Sequence, residues 1–361
     1  MKNKLRIGLI GLGQRGMATV RRYAVIENAE IVAIADLSAE ALEHARYQLK
    51  MQGKECVSLY QGESQWRQLC TDNQVDIVYI CTDWASHARM AIYAMQQGKD
   101  VAIEVPAAIT VKECWDLVNT AEQNHRYCTM LENCCYDTFH LGILEMAKKG
   151  MFGDICHCEG AYIHDLRWDK GWMSYTVSAH EGNPYPTHGL GPICRLLNIN
   201  HGDRLESLIS MNAPNKINNT LIRTALGKTI LIQFDERTPR PYSRLQTLCG
   251  TKGYAQKYPL PTVQIDGQTL LTGVEAEAYV NNQQNEETRT ILQTAKRLGV
   301  ENQMNYMMDC RLVNQLCNHR EPDISVYDAA LWSCITELTE ISASQGGKLV
   351  EIPDFTRGNW K

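Results

Sequence analysis

Two tyrosine–histidine pairs carry the side chains best suited to moving protons in this 361-residue chain. In Gly160-Ala161-Tyr162-Ile163-His164, the two-residue period of a strand puts Tyr162 and His164 on one side. In Tyr185-Pro186-Thr187-His188-Gly189-Leu190-Gly191-Pro192, proline and glycine crowd a second pair into what reads as a rigid turn leading to a helix. Histidine titrates near neutral pH and exchanges protons with a hydroxyl. His188 is the first candidate for that chemistry, Tyr162 the second, and His164 can assist.

A different site is written near the N-terminus. Gly11-Leu12-Gly13-Gln14-Arg15-Gly16 follows the apolar run Leu5–Ile10 and precedes a helical pattern that starts at Met17. In that order Gly11 permits the tight turn, Gly13 lets backbone approach a pyrophosphate, and Gly16 lets helix pack on strand. A second apolar strand, 30–35, ends in Asp36, where a carboxylate accepts hydrogen bonds from an adenosine ribose. No arginine stands in Leu37-Ser38-Ala39, so the expected cofactor is NAD rather than a 2′-phosphorylated analogue. Ligands of such sheets collect beyond the carboxyl ends of the strands. Trp84 and His87 after the fourth strand are therefore candidates to flank nicotinamide or ribose, and Glu104 at the end of the fifth to line the cofactor cleft. After the sixth, Asn133 is a candidate for the carboxamide and Glu132 for a sugar hydroxyl.

These residues need elements to position them. Up to about residue 130, strands alternate with helices: a strand at 75–81, a helix at 86–97 ended by Gly98, strands at 101–104 and 127–132, and a helix opened by a Thr110/Glu113 capping box. Beyond 136 a helix at about 138–149 gives way to hairpins, 221–226 turning at Gly227 into 229–235, and 245–249 turning at 250–253. Helices follow at about 286–298, 302–318 and 325–344. The fold class is α/β, with an N-terminal Rossmann doubly wound parallel sheet over 1–132. A C-terminal α+β domain with a largely antiparallel sheet covers 133–361, its last helices packing back.

Composition is that of an ordinary soluble globular protein, with 44% hydrophobic and 21% charged residues. A net charge of −5 offers no footprint for nucleic acid or an anionic membrane. The 14 cysteines form no CxxC pair and no His/Cys ligand spacing, so no metal is expected. Cys134-Cys135, and Cys156 with Cys158 on one strand face, read as packed thiols. Such usage points to a reducing compartment, and without an export signal or spanning segment the chain as it stands is expected in the cytoplasm. A homo-oligomer formed through the C-terminal sheet is also expected.

Five motifs in order carry a family likeness: Glu-Val-Pro-Ala-Ala at 104–108, Leu-Glu-Asn-Cys-Cys-Tyr at 131–136, Gly-Ala-Tyr-Ile-His-Asp-Leu-Arg at 160–167, Tyr-Pro-Thr-His-Gly-Leu-Gly-Pro at 185–192, and Pro-Arg-Pro-Tyr-Ser-Arg at 239–244. Together with the glycine turn they make the chain resemble the Gfo/Idh/MocA oxidoreductases and, within them, glycoside hydrolase family 109, the NAD-dependent α-N-acetylgalactosaminidase family. The resemblance implies cofactor contacts at Gln14, Arg15, Asp36, Trp84 through His87, Glu104, Val105, Asn133 and Tyr185. It implies sugar contacts at Tyr162, at Tyr185, Pro186, Thr187 and His188, and at Tyr242, with a small-molecule glycoside as the partner. Met173 stands where the family commonly has an arginine, which points towards a hexopyranoside other than an α-N-acetylgalactosaminide.

The activity so implied is NAD-dependent glycosidase chemistry, a known exception to the two-carboxylate scheme. Transient oxidation at C3 acidifies the C2 proton, which leaves with the C1 substituent; water then adds and C3 is reduced again. His188 is the candidate for the C3 hydroxyl proton and Tyr162 for the C2 proton, with the exchange of these roles open. The alternative is an NAD-dependent sugar dehydrogenase of the same superfamily. Its usual lysine between glutamate and proline is here Val105, which exchanges no proton.

Overall fold

In the computed structural model, residues 4–54, 56–168 and 180–361 are described. Six strands, β1 (Leu5–Ile10), β2 (Ala29–Asp36), β3 (Ser58–Gln61), β4 (Ile77–Ile80), β5 (Asp100–Ile103) and β6 (Cys128–Met130), pair in parallel in the order β3-β2-β1-β4-β5-β6. All four residues of β4, Ile-Val-Tyr-Ile, are buried, as expected of a parallel strand covered on both faces. The strand order reverses between β1 and β4, and the glycine turn leaves the end of β1 at that switch point.

Crossovers run through α1 (Gln14–Tyr23), α2 (Ala39–Met51), α3 (Trp66–Thr71), α4 (Trp84–Gln96) and α5 (Val111–Asn124). Ser38 caps α2 and Asp83 caps α4 by accepting backbone N–H groups. The expected capping box opens α5: Thr110 Oγ1 accepts the Glu113 N–H at 3.1 Å, and the Glu113 carboxylate accepts the Thr110 N–H at 3.2 Å.

The second sheet has nine strands: β7 (Ile155–Ile163), β8 (Leu205–Asn212), β9 (Asn218–Thr224), β10 (Thr229–Asp235), β11 (Ser243–Gly250), β12 (Gly253–Gln256), β13 (Thr262–Ile265), β14 (Leu271–Thr272) and β15 (Val350–Glu351). Their order is β14-β13-β12-β11-β7-β10-β9-β8-β15. Only β7 and β10 pair in parallel; both expected hairpins form, β9 with β10 and β11 with β12. The helices along this part of the chain are α6 (Thr138–Lys148), α7 (Thr187–Leu196), α8 (Gly273–Asn281), α9 (Glu286–Arg297), α10 (Gln303–Cys317) and α11 (Val326–Ser344).

The chain divides into two units, Met1–Leu131 with Ile291–Ala330, and Glu132–Thr290 with Leu331–Lys361. A single cut after 132 therefore misses that 291–330 groups with the parallel sheet. Buried Asp309 on α10 explains the grouping: its carboxylate takes Arg22 Nε at 2.8 Å from α1 and Tyr79 Oη at 2.6 Å from β4. The cysteine reading also needs correction, because Cys156 is exposed while Cys158 is buried. Among the described residues no helix is long and apolar enough to cross a membrane. Trp172 and Met173 lie outside the described residues.

Candidate active site and cofactor turn

Two glycines set the distance between the expected proton carriers. A Cβ built on Gly160 of β7 would lie 2.4 Å from the Gly189 carbonyl oxygen, and one on Gly189 would lie 2.6 Å from the Ala161 nitrogen. Only hydrogen fits there, so the first turn of α7 rests backbone to backbone on β7. This brings His188 to Tyr162, ring centroids 5.6 Å apart, with Tyr185 4.8 Å from Tyr162 and 4.7 Å from His188.

Hydrogen bonds thread this cluster. His188 Nε2 lies 3.3 Å from Tyr185 Oη, and His188 Nδ1 lies 2.8 Å from the carboxylate of Glu132. Glu132 is fully buried, stands two residues after the end of β6, and also accepts the Cys134 N–H at 3.0 Å. Tyr162 Oη is 3.1 Å from His164 Nδ1, and Tyr242 approaches His164 edge-on at 5.3 Å. The segment carrying Tyr242 is turned by buried Asp235, whose carboxylate accepts the backbone N–H groups of Arg237 and Thr238 and the Thr238 hydroxyl.

Burial alone would lower the pKa of His188, but Cys134 and Glu132 outweigh it and raise it to about 10. Burial would likewise raise the Glu132 carboxyl, yet His188 holds it below its ordinary value. The two form an imidazolium–carboxylate pair. Behind it, Asp137 caps α6 and accepts hydrogen bonds from Arg244 Nη2 at 2.8 Å and from Lys257. Against the cost of burial, these two cations hold Asp137 at about 2.

In the other unit, the residues fit a dinucleotide. A Cβ on Gly16 would strike the Gly11 carbonyl oxygen at 1.9 Å, so strand and helix meet only through glycine. A Cβ on Gly13 meets no described atom within 4 Å, so the space above the turn is open. Gly13 is the N-cap of α1 and no side chain caps it, which leaves helix N–H groups for an anion. Asp36 accepts the Leu12 N–H at 2.6 Å and the Ser38 N–H at 2.8 Å, fixing its carboxylate at the end of β2. Arg15 and Glu104 form a two-pronged pair at 3.0 Å in each arm.

The structure thus gathers Glu132, Tyr162, His164, Tyr185, His188 and Tyr242 into one cluster, with Pro186 and Thr187 at the start of α7. Gln14, Arg15, Asp36 and Glu104 lie at the ends of elements in the parallel-sheet unit, with Val105 buried beside Glu104. His87 and Trp84 are buried at the start of α4, and both ring nitrogens of His87 are directed at backbone carbonyls, Pro106 at 2.8 Å and Thr82 at 3.1 Å. His87 therefore braces the segment after β5. Asn133 and Tyr185 belong to the second unit. Glu132, read as a sugar ligand, is committed to His188 and to Cys134 N–H. Sequence reasoning read Cys134 only as a packed thiol and passed over Asp137 with Arg244 and Lys257; the acid-capped helix start at Asp137 was the one local signal.

A parallel sheet with a glycine turn, and a second, largely antiparallel sheet that carries a cluster of tyrosines and histidines, mark an NAD-binding oxidoreductase-type protein. Residues 5–131 match the oxidoreductase family with NAD-binding Rossmann fold, and NAD is the cofactor. Residues 136–217 and 213–361 match the C-terminal domain of glycosyl hydrolase 109, and the chain belongs to glycosyl hydrolase family 109 as an NAD-dependent glycoside hydrolase. It is 46% identical to glycosyl hydrolase family 109 protein 2 of Phocaeicola vulgatus over 99% of this chain and 96% of that one. It is also 46% identical to an alpha-N-acetylgalactosaminidase of Bacteroides fragilis, over 99% of this chain and 93% of that one. The fold resembles an NAD binding oxidoreductase from Klebsiella pneumoniae, with a TM-score of 0.79, 18% identity, and 97% and 99% of the chains covered.

Proposed function

We propose that the protein cleaves a hexopyranoside by a redox-neutral route: oxidation at C3, loss of the C2 proton with departure of the C1 substituent, addition of water, and reduction of C3. NAD, when bound, supplies the hydride acceptor and donor and is returned unchanged. His188 handles the C3 hydroxyl proton and Tyr162 the C2 proton. The observation that carries this reading is the hydrogen-bonded line Glu132–His188–Tyr185 with Tyr162 packed against both rings. Glu132 fixes the imidazole by its Nδ1, leaving Nε2 as the working nitrogen. In the free protein His188 holds a proton, so its service as a base needs the fall in pKa that an approaching positive charge brings.

The Bacteroides fragilis relative makes α-linked N-acetylgalactosamine the first sugar to test. Met173 favours another hexopyranoside, since methionine offers a sugar no charged donor. The test is a panel of α- and β-linked chromogenic glycosides with NAD in deuterated water. Aglycone release without build-up of NADH, and deuterium at C2 of the freed sugar, are expected. Stoichiometric NADH would make the protein a sugar dehydrogenase, and full retention of the C2 hydrogen during turnover would overturn the elimination route.

A further inference from the structure

Glu132, Cys134 and His188 present three chemically different donors, a carboxylate oxygen, a sulfur and a ring nitrogen, all within 4.8 Å of one another. Glu132 and Cys134 sit two residues apart, one before and one within the short 3-10 helix Asn133–Tyr136, while His188 reaches them from the first turn of α7. Glu132 and Cys134 are buried, and the His188 side chain keeps 13% of its exposure, so His188 is the member of the set nearest solvent. Oxygen-seeking magnesium and calcium do not choose such a set. One sulfur, one nitrogen and one oxygen suit zinc, and cobalt as its spectroscopic stand-in.

We propose that Glu132, Cys134 and His188 form a three-ligand site for a thiophilic divalent cation, with the fourth position open to water or a sugar hydroxyl. A four-coordinate ion with bonds of about 2.0–2.3 Å holds its ligands roughly 3.3–3.7 Å apart, so the cluster needs only side-chain adjustments of about 1 Å. The 2.8 Å contact between Glu132 and His188 opens as the ion takes the place of the shared proton. Arg244 lies within electrostatic reach of Cys134 and opposes a cation, but the thiol proton leaves on binding, so the local charge rises by less than the ion brings. Resting on the role proposed for His188, an ion on Nδ1 leaves the ring's one proton on Nε2, which then cannot accept another, and the ion acts as an inhibitor.

The test is cobalt titration of the full-length chain after dialysis against chelator. One equivalent should raise a near-ultraviolet thiolate-to-cobalt charge-transfer band and the visible bands of a four-coordinate ion. Cys134→Ser should remove the charge-transfer band and weaken binding by about tenfold or more, whereas Cys156→Ser, at an exposed position on β7, should change neither. X-ray absorption of the zinc-loaded unmutated chain should show one sulfur at about 2.3 Å, a readout independent of whether the variant folds. A shell of nitrogen and oxygen only, or a band that survives Cys134→Ser, overturns the site. Loss of glycosidase inhibition by zinc, with the sulfur shell present, would instead count against the role given to His188.

Discussion

The Glu132 carboxylate lies 2.8 Å from His188 Nδ1 in the interior of the second unit, 56 residues away along the chain. Against the cost of burial, Cys134 and this carboxylate together raise the His188 pKa. Glu132→Gln removes the anion and should drop the His188 pKa from about 10 towards its ordinary value, read by nuclear magnetic resonance of the imidazole. An unchanged titration would show that Glu132 does not set it.

The same pair gives a pH signature in stability. A group whose pKa is raised on folding stabilises most below its unfolded value and loses that contribution as pH climbs through the folded one. The stability gap between the unmutated chain and Glu132→Gln should therefore narrow as pH rises from about 6.5 to about 10. Urea midpoints across that range provide the measurement, and a gap that widens would reverse the sign argued here.

Asp137 behaves in the opposite sense. Its pKa is lowered to about 2 with Arg244 and Lys257 as partners, so its contribution is present above 3.8 and lost as pH falls towards about 2. The shift corresponds to about 2 kcal/mol. Asp137→Asn should cost at least that near neutrality, because buried Arg244 and partly exposed Lys257 lose their anion, and the difference should shrink in acid. Equal penalties at pH 3 and pH 7, by chemical denaturation, would exclude the linkage.

Cofactor preference follows from Asp36. With its carboxylate at the end of β2 proposed to meet the adenosine ribose and to repel a 2′-phosphate, NAD should bind at least about tenfold tighter than NADP, measured by tryptophan fluorescence quenching. Asp36→Asn keeps an acceptor for Leu12 N–H but removes the charge, and should narrow the ratio. Equal affinities in the unmutated chain would displace Asp36 from the ribose.

At position 173 the expectation concerns a donor the chain lacks. A charge-assisted hydrogen bond contributes roughly 1.5–3 kcal/mol, so activity on α-N-acetylgalactosaminides should fall about one to two factors of ten below a relative that keeps the arginine. Met173→Arg should recover part of it. Full activity in the unmutated chain would discard the argument.

What could be read from sequence was local. The turn at 11–16, the box at Thr110 and Glu113, and the hairpin at Gly227 each depend on residues within a few positions of one another, and all form. The pairing of Glu132 with His188, the bracing of the β5 exit by His87, and the return of Asp309 to Arg22 join residues that no periodicity connects. Glu132 was read as a sugar ligand because strand ends attract ligands; its pairing with His188 and Cys134 N–H depends on what packs over it. Cys134 was read as filler because thiols usually are; Glu132 is its neighbour in sequence, but only the position of α7 brings an imidazole to it.

Gly160 and Gly189 bear no functional group, and a scan that deletes side chains would pass over both. Adding one methyl at either, as in Gly160→Ala, wedges α7 away from β7 and parts Tyr162 from His188 while leaving every reactive atom in the molecule. Activity would vanish with nothing chemical removed. The reach between the two proposed proton carriers is thus written in two hydrogen atoms, at places where any other amino acid would put carbon.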